Sequence, residues 1–188
     1  MQLVAVLFAH NESHYKGVPG VDVWDAERNA LQWPGGTPII AHPPCRLWSR
    51  LRYFSTAPRI EKAYAVWAIE QARRWGGVVE HPAYSRLWEA LSLPRPGTRA
   101  RDKWGGWTMS VPQQWWGHVA RKATWLYVVG CAPSNIPPVP YCMGEPEKVI
   151  ASKSARLLTG QKHPSKQERE LTPPAFCSWL IDLARKCA

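Results

Sequence analysis

The chain has 188 residues, with 24 lysines and arginines against 14 aspartates and glutamates, a formal charge of +10 and 45% hydrophobic residues. That length suits one domain with its own core, and the apolar fraction excludes an intrinsically disordered, collagen-like or coiled-coil chain. No apolar run approaches the ~20 residues a bilayer crossing needs, so a soluble, cytoplasmic protein is expected, and the positive excess points to a polyanionic partner, nucleic acid before an acidic membrane surface.

Residues 3–8 form a short run, rich in β-branched and aromatic residues and bounded by polar ones, that reads as a buried strand; Val21 to Trp24 is a shorter candidate. Residues 38–41 make the next strand. Ile60, Ala63, Tyr64, Trp67, Ala68 and Gln71 then recur at helical spacing, and Gly76-Gly77 supplies a C-terminal stop. Residues 77–80 and 124–130 read as two further strands. Thr172-Pro173-Pro174 offers a cap and a first-turn proline to a docked helix over 172–187, on which Phe176, Trp179, Leu180 and Leu183 are apolar at helical period.

This alternation predicts an α/β fold: a Rossmann-like, mostly parallel sheet with helices on both faces, spanning 1–188 as a single domain, with ligands beyond the carboxyl ends of the strands. Segment 148–170 carries Lys148, Lys153, Arg156, Lys162, Lys166 and Arg169 and is expected to be a basic loop or arm. The five cysteines lack a CxxC pair and predict neither a disulfide framework nor a zinc ribbon. The histidines lack the His-x-x-x-His spacing of a metal site, and the paired motifs of a zinc deaminase are missing.

The strand at 38–41 runs into His42-Pro43-Pro44-Cys45, which puts a thiol on a stiff turn at a carboxyl end. Arg46, Arg50 and Arg52, interleaved with Trp48 and Tyr53, are candidates to hold phosphates and to lower the Cys45 pKa. A buried cysteine beside a basic helix is the plain alternative. The next strand ends in Glu80-His81-Pro82, and neighbouring parallel strands would bring Cys45 and Glu80 to one edge. A thiol and a carboxyl there suit covalent attack on a pyrimidine ring, with the carboxyl engaging the ring nitrogen. Ser13, Tyr15 and Lys16 after the first strand are positions where a substrate phosphate is met, or a plain surface turn. Trp104, Trp107, Trp115 and Trp116 near Arg101 and Lys103 suit either base stacking or packing.

These motifs resemble the DNA cytosine-5 methyltransferases. Pro43-Pro44-Cys45, with Ser49 following, is similar to that family's nucleophile turn; Glu80-His81-Pro82 is similar to its Glu-Asn-Val element; Gly117-His118-Val119-Ala120-Arg121-Lys122 is similar to a later glycine and basic-pair element. The resemblance covers roughly residues 38–130. It implies Cys45, Glu80 and Arg121 as catalytic residues, with His42, Pro44, Ser49, His81 and Lys122 about the substrate; Ser13 and Lys16 join these from their place after the first strand alone. Arg46, Arg50, Arg52 and Lys166 would meet nucleic acid, and Asp22 or Asp25 would stand where the family's ribose-binding carboxylate does.

The family's aromatic-x-Gly-x-Gly loop for S-adenosylmethionine has no counterpart in Phe8-Ala9-His10-Asn11-Glu12. A donor other than S-adenosylmethionine, such as a folate-borne one-carbon unit, is therefore admitted. The short pattern is also associated with phage and prophage proteins, which implies DNA modification in an infected bacterial cell as a protection against restriction. The expected function is modification of a pyrimidine, at cytosine carbon-5, in DNA or in a free nucleotide. Two alternatives stay open: a catalytically silent DNA-binding or anti-restriction module, and a nucleotide hydrolase or glycosylase in which Glu80 activates water.

Overall fold

The computed structural model describes residues 2–49, 52–150, 160 and 162–187. Among them the strands are β1 (Val4–Leu7), β2 (Val21–Trp24), β3 (Ile39–Ala41), β4 (Gly77–Pro82), β5 (Trp107–Pro112) and β6 (Ala123–Val129). The α-helices are α1 (Glu61–Trp75), α2 (Leu87–Ala90), α3 (Lys166–Glu170) and α4 (Pro174–Arg185).

The strands form one six-stranded sheet in the order β2-β1-β3-β4-β6-β5. The pairs β1–β2, β1–β3 and β3–β4 are parallel, whereas β6 runs antiparallel to both β4 and β5. The sheet is therefore mixed, which corrects the expectation of a mostly parallel one. The cause is the β5–β6 connection, a 3-10 turn over Gln113–Trp116 and a few residues more, too short for the crossover that a parallel pair requires. In β5 itself, Trp107, Met109 and Val111 alternate with polar Thr108 and Ser110 at strand period.

Alternation along the strands sends their apolar residues to two faces. Ala5, Leu7, Ile39, Ala41 and Val79 meet the buried stripe Ala65, Ala68, Ile69 and Ala72 of α1. Val4, Val6, Ile40, Val78, Leu126 and Val128 meet Phe176, Leu180, Leu183 and Ala184 of α4 on the other. Gly76 ends α1 at φ 78°, its N–H donating to Ala72 O. At α4 the cap position is Pro173, one residue later than Thr172, and Pro174 fills the first turn, where a missing N–H costs nothing.

Part of the basic segment is tied down. Lys148 bridges to Ala120 and its ammonium lies 2.5 Å from Glu168. Ser165 and Glu168 close a capping box on α3. Lys153 and Arg156 lie outside the described residues. Among the described residues no helix is long and apolar enough to cross a membrane.

Candidate active site

The chain passes from β1 to β2 on one side and from β3 to β4 on the other, so the strand order reverses between β1 and β3. In an open α/β sheet, ligands are taken at the carboxyl ends beside such a reversal. His42 follows β3 directly, its N–H held 3.0 Å from Leu7 O, and Pro43-Pro44 then carries the backbone to Cys45, which begins a 3-10 turn over Arg46–Trp48. Glu80 is inside β4, paired with Leu126, and the two-residue period puts it with Val78 on the α4 side.

Here side chains from several elements converge on Glu80. His42 Nδ1 lies 3.2 Å from Glu80 Oε2, and His42 Nε2 lies 2.9 Å from the Tyr15 hydroxyl. Gln113 Nε2 donates to Glu80 Oε1 at 3.1 Å and to Thr124 Oγ1 at 3.0 Å. A carboxylate only accepts, so His42 carries its hydrogen on Nδ1 and, when neutral, accepts the Tyr15 O–H on Nε2. The side chains of His42 and Glu80 retain 13% and 12% exposure, so the carboxylate is sheltered but reachable.

Burial alone would push the Glu80 carboxyl up. The His42 hydrogen bond and the positive charges of Lys122 and His42 outweigh it and hold the group at about 2. Glu80 is thus an anion at neutral pH.

Cys45 is exposed, yet the protein packed about its turn desolvates the thiol, and the nearby Glu80 charge adds to that effect; together they push its pKa up against the pull of Lys122. This corrects the expectation that the arginines lower it. Arg46 is held by Glu61 through bonds of 2.7 and 2.6 Å, and Arg52 donates to the Tyr53 hydroxyl at 2.6 Å, so both guanidinium groups already have partners. Arg50 lies outside the described residues.

Of the basic pair before β6, Lys122 is the cation that Glu80 and Cys45 feel; burial pushes its pKa down, and its Nζ donates to Leu171 O at 3.3 Å. Arg121 is exposed. His81 is fully buried on the α1 face, its ring edge-on to Trp88 at 6.2 Å, and burial brings it down to about 4 although the Pro44 carbonyl favours its charge. It is a neutral core group on the side of the sheet away from Glu80, not a substrate contact.

Several expected ligands are committed elsewhere. Lys16 pairs with Asp25 at 2.7 Å, and Asp25 also accepts the N–H groups of Glu27 and Arg28. Asp22 binds Arg28 at 2.6 Å and the Trp24 indole at 2.7 Å. Tyr15 is 1% exposed and reaches His42 from the loop after β1. Ser13 has a buried hydroxyl without a partner among the described residues, Ser49 donates to Arg46 O at 3.1 Å, and Lys166 is exposed on α3. These residues do not fit the S-adenosylmethionine seat that the resemblance implies: the loop lacks glycine and both carboxylates already hold cations.

Trp107 and Trp116 are core residues, the first donating to Cys131 O at 2.7 Å, the second packed on Phe176 and Trp179. Trp104 lies under Arg73, with the guanidinium 3.7 Å from its ring. Among the described residues, no group of three or more histidine, cysteine, aspartate or glutamate side chains is placed to hold a metal ion.

Sequence reasoning missed Gln113 and Thr124; their only signal is the alternation of β5 and β6, which sets Thr124 on the Glu80 face. Comparison with protein-family models, with curated proteins and with solved structures finds no match to this chain.

Proposed function

We propose that the chain modifies a pyrimidine base, cytosine in DNA being the reading that fits best, through Cys45 as nucleophile and Glu80 as proton carrier. What supports this is the electrostatic coupling of Cys45, on the turn after β3, with Glu80 of the adjacent parallel strand β4 and with Lys122 just before β6. A thiol whose pKa is raised starts the reaction protonated. Its sulfur bonds to ring carbon-6, its proton leaves to the Glu80 carboxylate, and Glu80 delivers a proton to ring nitrogen-3; the S–H bond is replaced by S–C and N–H bonds, with no net charge created. Carbon-5 then becomes nucleophilic as an enamine and takes a proton or a one-carbon electrophile. His42 and Gln113 hold the carboxylate in position throughout, and Lys122 stabilises negative charge on sulfur and carboxylate as the proton moves.

Two readouts test this together. Exchange of the cytosine carbon-5 hydrogen for deuterium in heavy water needs no donor, and intact-mass analysis with a 5-fluorocytosine oligonucleotide, with and without S-adenosylmethionine, reports a covalent adduct. Exchange that Cys45→Ser abolishes supports the mechanism, and an adduct supports it further. No exchange and no adduct, with oligonucleotide binding intact, overturns it in favour of a catalytically silent binding module, which the raised Cys45 pKa would suit equally.

A further inference from the structure

We infer that the substrate is a single-stranded stretch of polynucleotide, rather than a free nucleotide or a closed duplex, seated in two adjoining clefts next to Cys45; the inference deepens the reading above and rests on it for which base is presented.

The clefts lie on the α1 side of the carboxyl edge. One, of about 250 Å³, is walled by Trp48, Arg52 and Lys62. The other, of about 350 Å³, is walled by Tyr84, Trp88, Arg95 and Trp125. Arg86 and Glu89 line both, so the two adjoin. Their position follows from the fold. Cys45 begins the turn that bears Trp48, and the chain leaving β4 after Glu80 runs through Tyr84 and Arg86. A strand lying in the clefts therefore runs beside the turn that begins at Cys45.

Charge identifies the occupant. Five cations elsewhere are neutralised in place: Lys16 by Asp25, Arg28 by Asp22, Arg46 by Glu61, Arg73 by Asp102 and Lys148 by Glu168. Arg52, Lys62, Arg86 and Arg95 face a single carboxylate, Glu89, and none of the four is in an ion pair among the described residues. Four such cations spread over two clefts match successive phosphates, whereas a mononucleotide would engage one end only.

Aromatic surface decides between strand and duplex. Tyr84 in the second cleft is 72% exposed, Phe54 is 84% exposed, and Tyr53 is 80% exposed with the Arg52 guanidinium 4.1 Å from its ring on one face. Such rings offer faces to unpaired bases, and a duplex keeps its base faces stacked inside. A single strand also brings its base to Cys45 without the cost of extrusion from a helix.

The test is fluorescence anisotropy with a short labelled oligodeoxynucleotide, single-stranded or as a duplex, over a range of salt, with deoxycytidine monophosphate as competitor. The single strand binds more tightly than the duplex, and the mononucleotide competes only at far higher concentration. Arg86→Ala/Arg95→Ala lowers affinity at least tenfold and reduces the salt slope by about 0.7 for each phosphate no longer neutralised, while the corresponding double lysine variant keeps the slope. Tyr84→Ala weakens binding with the slope unchanged. Wild-type affinity and slope in the double alanine variant, or a mononucleotide that binds as well as the oligomer, overturns the inference. Cleft-dependent binding without carbon-5 exchange or adduct leaves the inference standing and removes the base-addition reading. Exchange unaltered by the double alanine variant at limiting oligonucleotide does the reverse.

Discussion

His42 Nδ1 and Glu80 Oε2 are 3.2 Å apart, joining the residue that leaves β3 to one inside the adjacent parallel strand β4. This hydrogen bond is the main force keeping Glu80 ionised against burial. Replacing His42 with alanine removes it and leaves the Tyr15 hydroxyl without its acceptor. The Glu80 carboxyl in His42→Ala rises from about 2 toward its ordinary 4.5, as carbon-13 NMR titration of the labelled side chain will report, and the protein loses roughly 1.5–3 kcal/mol, as expected for a hydrogen bond to a charged group.

Acid destabilises the fold in two successive windows. The buried His81 titrates at about 4 in the fold against an ordinary 6.5, so on acidification the unfolded chain takes up that proton first and stability falls from pH 6.5 downward. Glu80, at about 2 against 4.5, contributes stability that is whole above pH 4.5 and is lost as pH falls toward 2. Each window is worth about 3 kcal/mol at 1.36 kcal/mol per pH unit. Urea unfolding from pH 7 to 3 will show both, and His81→Phe will remove the first while leaving the second.

Lys122 is a nearby cation that opposes the rise of the Cys45 pKa. Lys122→Met therefore raises the thiol further and slows its alkylation by iodoacetamide several-fold at pH 8, with the midpoint of the rate profile moving to higher pH; Lys122→Arg restores most of the rate. Because Cys142 is also exposed, the rate is read by peptide mass at Cys45.

Gln113 uses Nε2 on both Glu80 and Thr124 and is fully buried. Gln113→Glu sets two carboxyl groups side by side, and like charges in such a site force one of them to keep its proton. The variant is less stable than the wild type at pH 7 by about 1–3 kcal/mol. Thermal melts at falling pH will show that deficit shrinking as the raised carboxyl protonates.

Much of this is legible in the chain. Gly76, with the apolar stripe before it, marks the end of α1; the β-branched runs mark β1, β3, β4 and β6; and the prolines before Cys45 mark the end of β3, whereas β4 runs two residues beyond Glu80, to Pro82. What escapes is whatever depends on pairing between distant segments. β5 has the right alternation, yet its tryptophan suggests a stacking surface as long as the return of β6 beside it is unknown. Gln113 has no signature as an amide in a turn; only the β5–β6 register brings it to Glu80. Asp22 and Asp25 read as ligand carboxylates because their partners Arg28 and Lys16 are ordinary surface residues in sequence. Likewise, the arginines after Cys45 promise a lowered thiol, and only the position of Glu61 on α1 reveals where Arg46 is spent.

Glu80 belongs to the hydrogen-bonded ladder of β4 and β6, whereas Cys45 stands on a turn with its side chain in the open. One partner is an anvil and the other a hammer. Any adjustment that brings sulfur and ring together must come from the Pro44–Cys45 turn, since moving the carboxylate would tear strand pairing at the centre of the sheet. Amide hydrogen exchange across this pair should accordingly be steeply asymmetric, slow at Glu80 and fast at Cys45, with substrate slowing only the second.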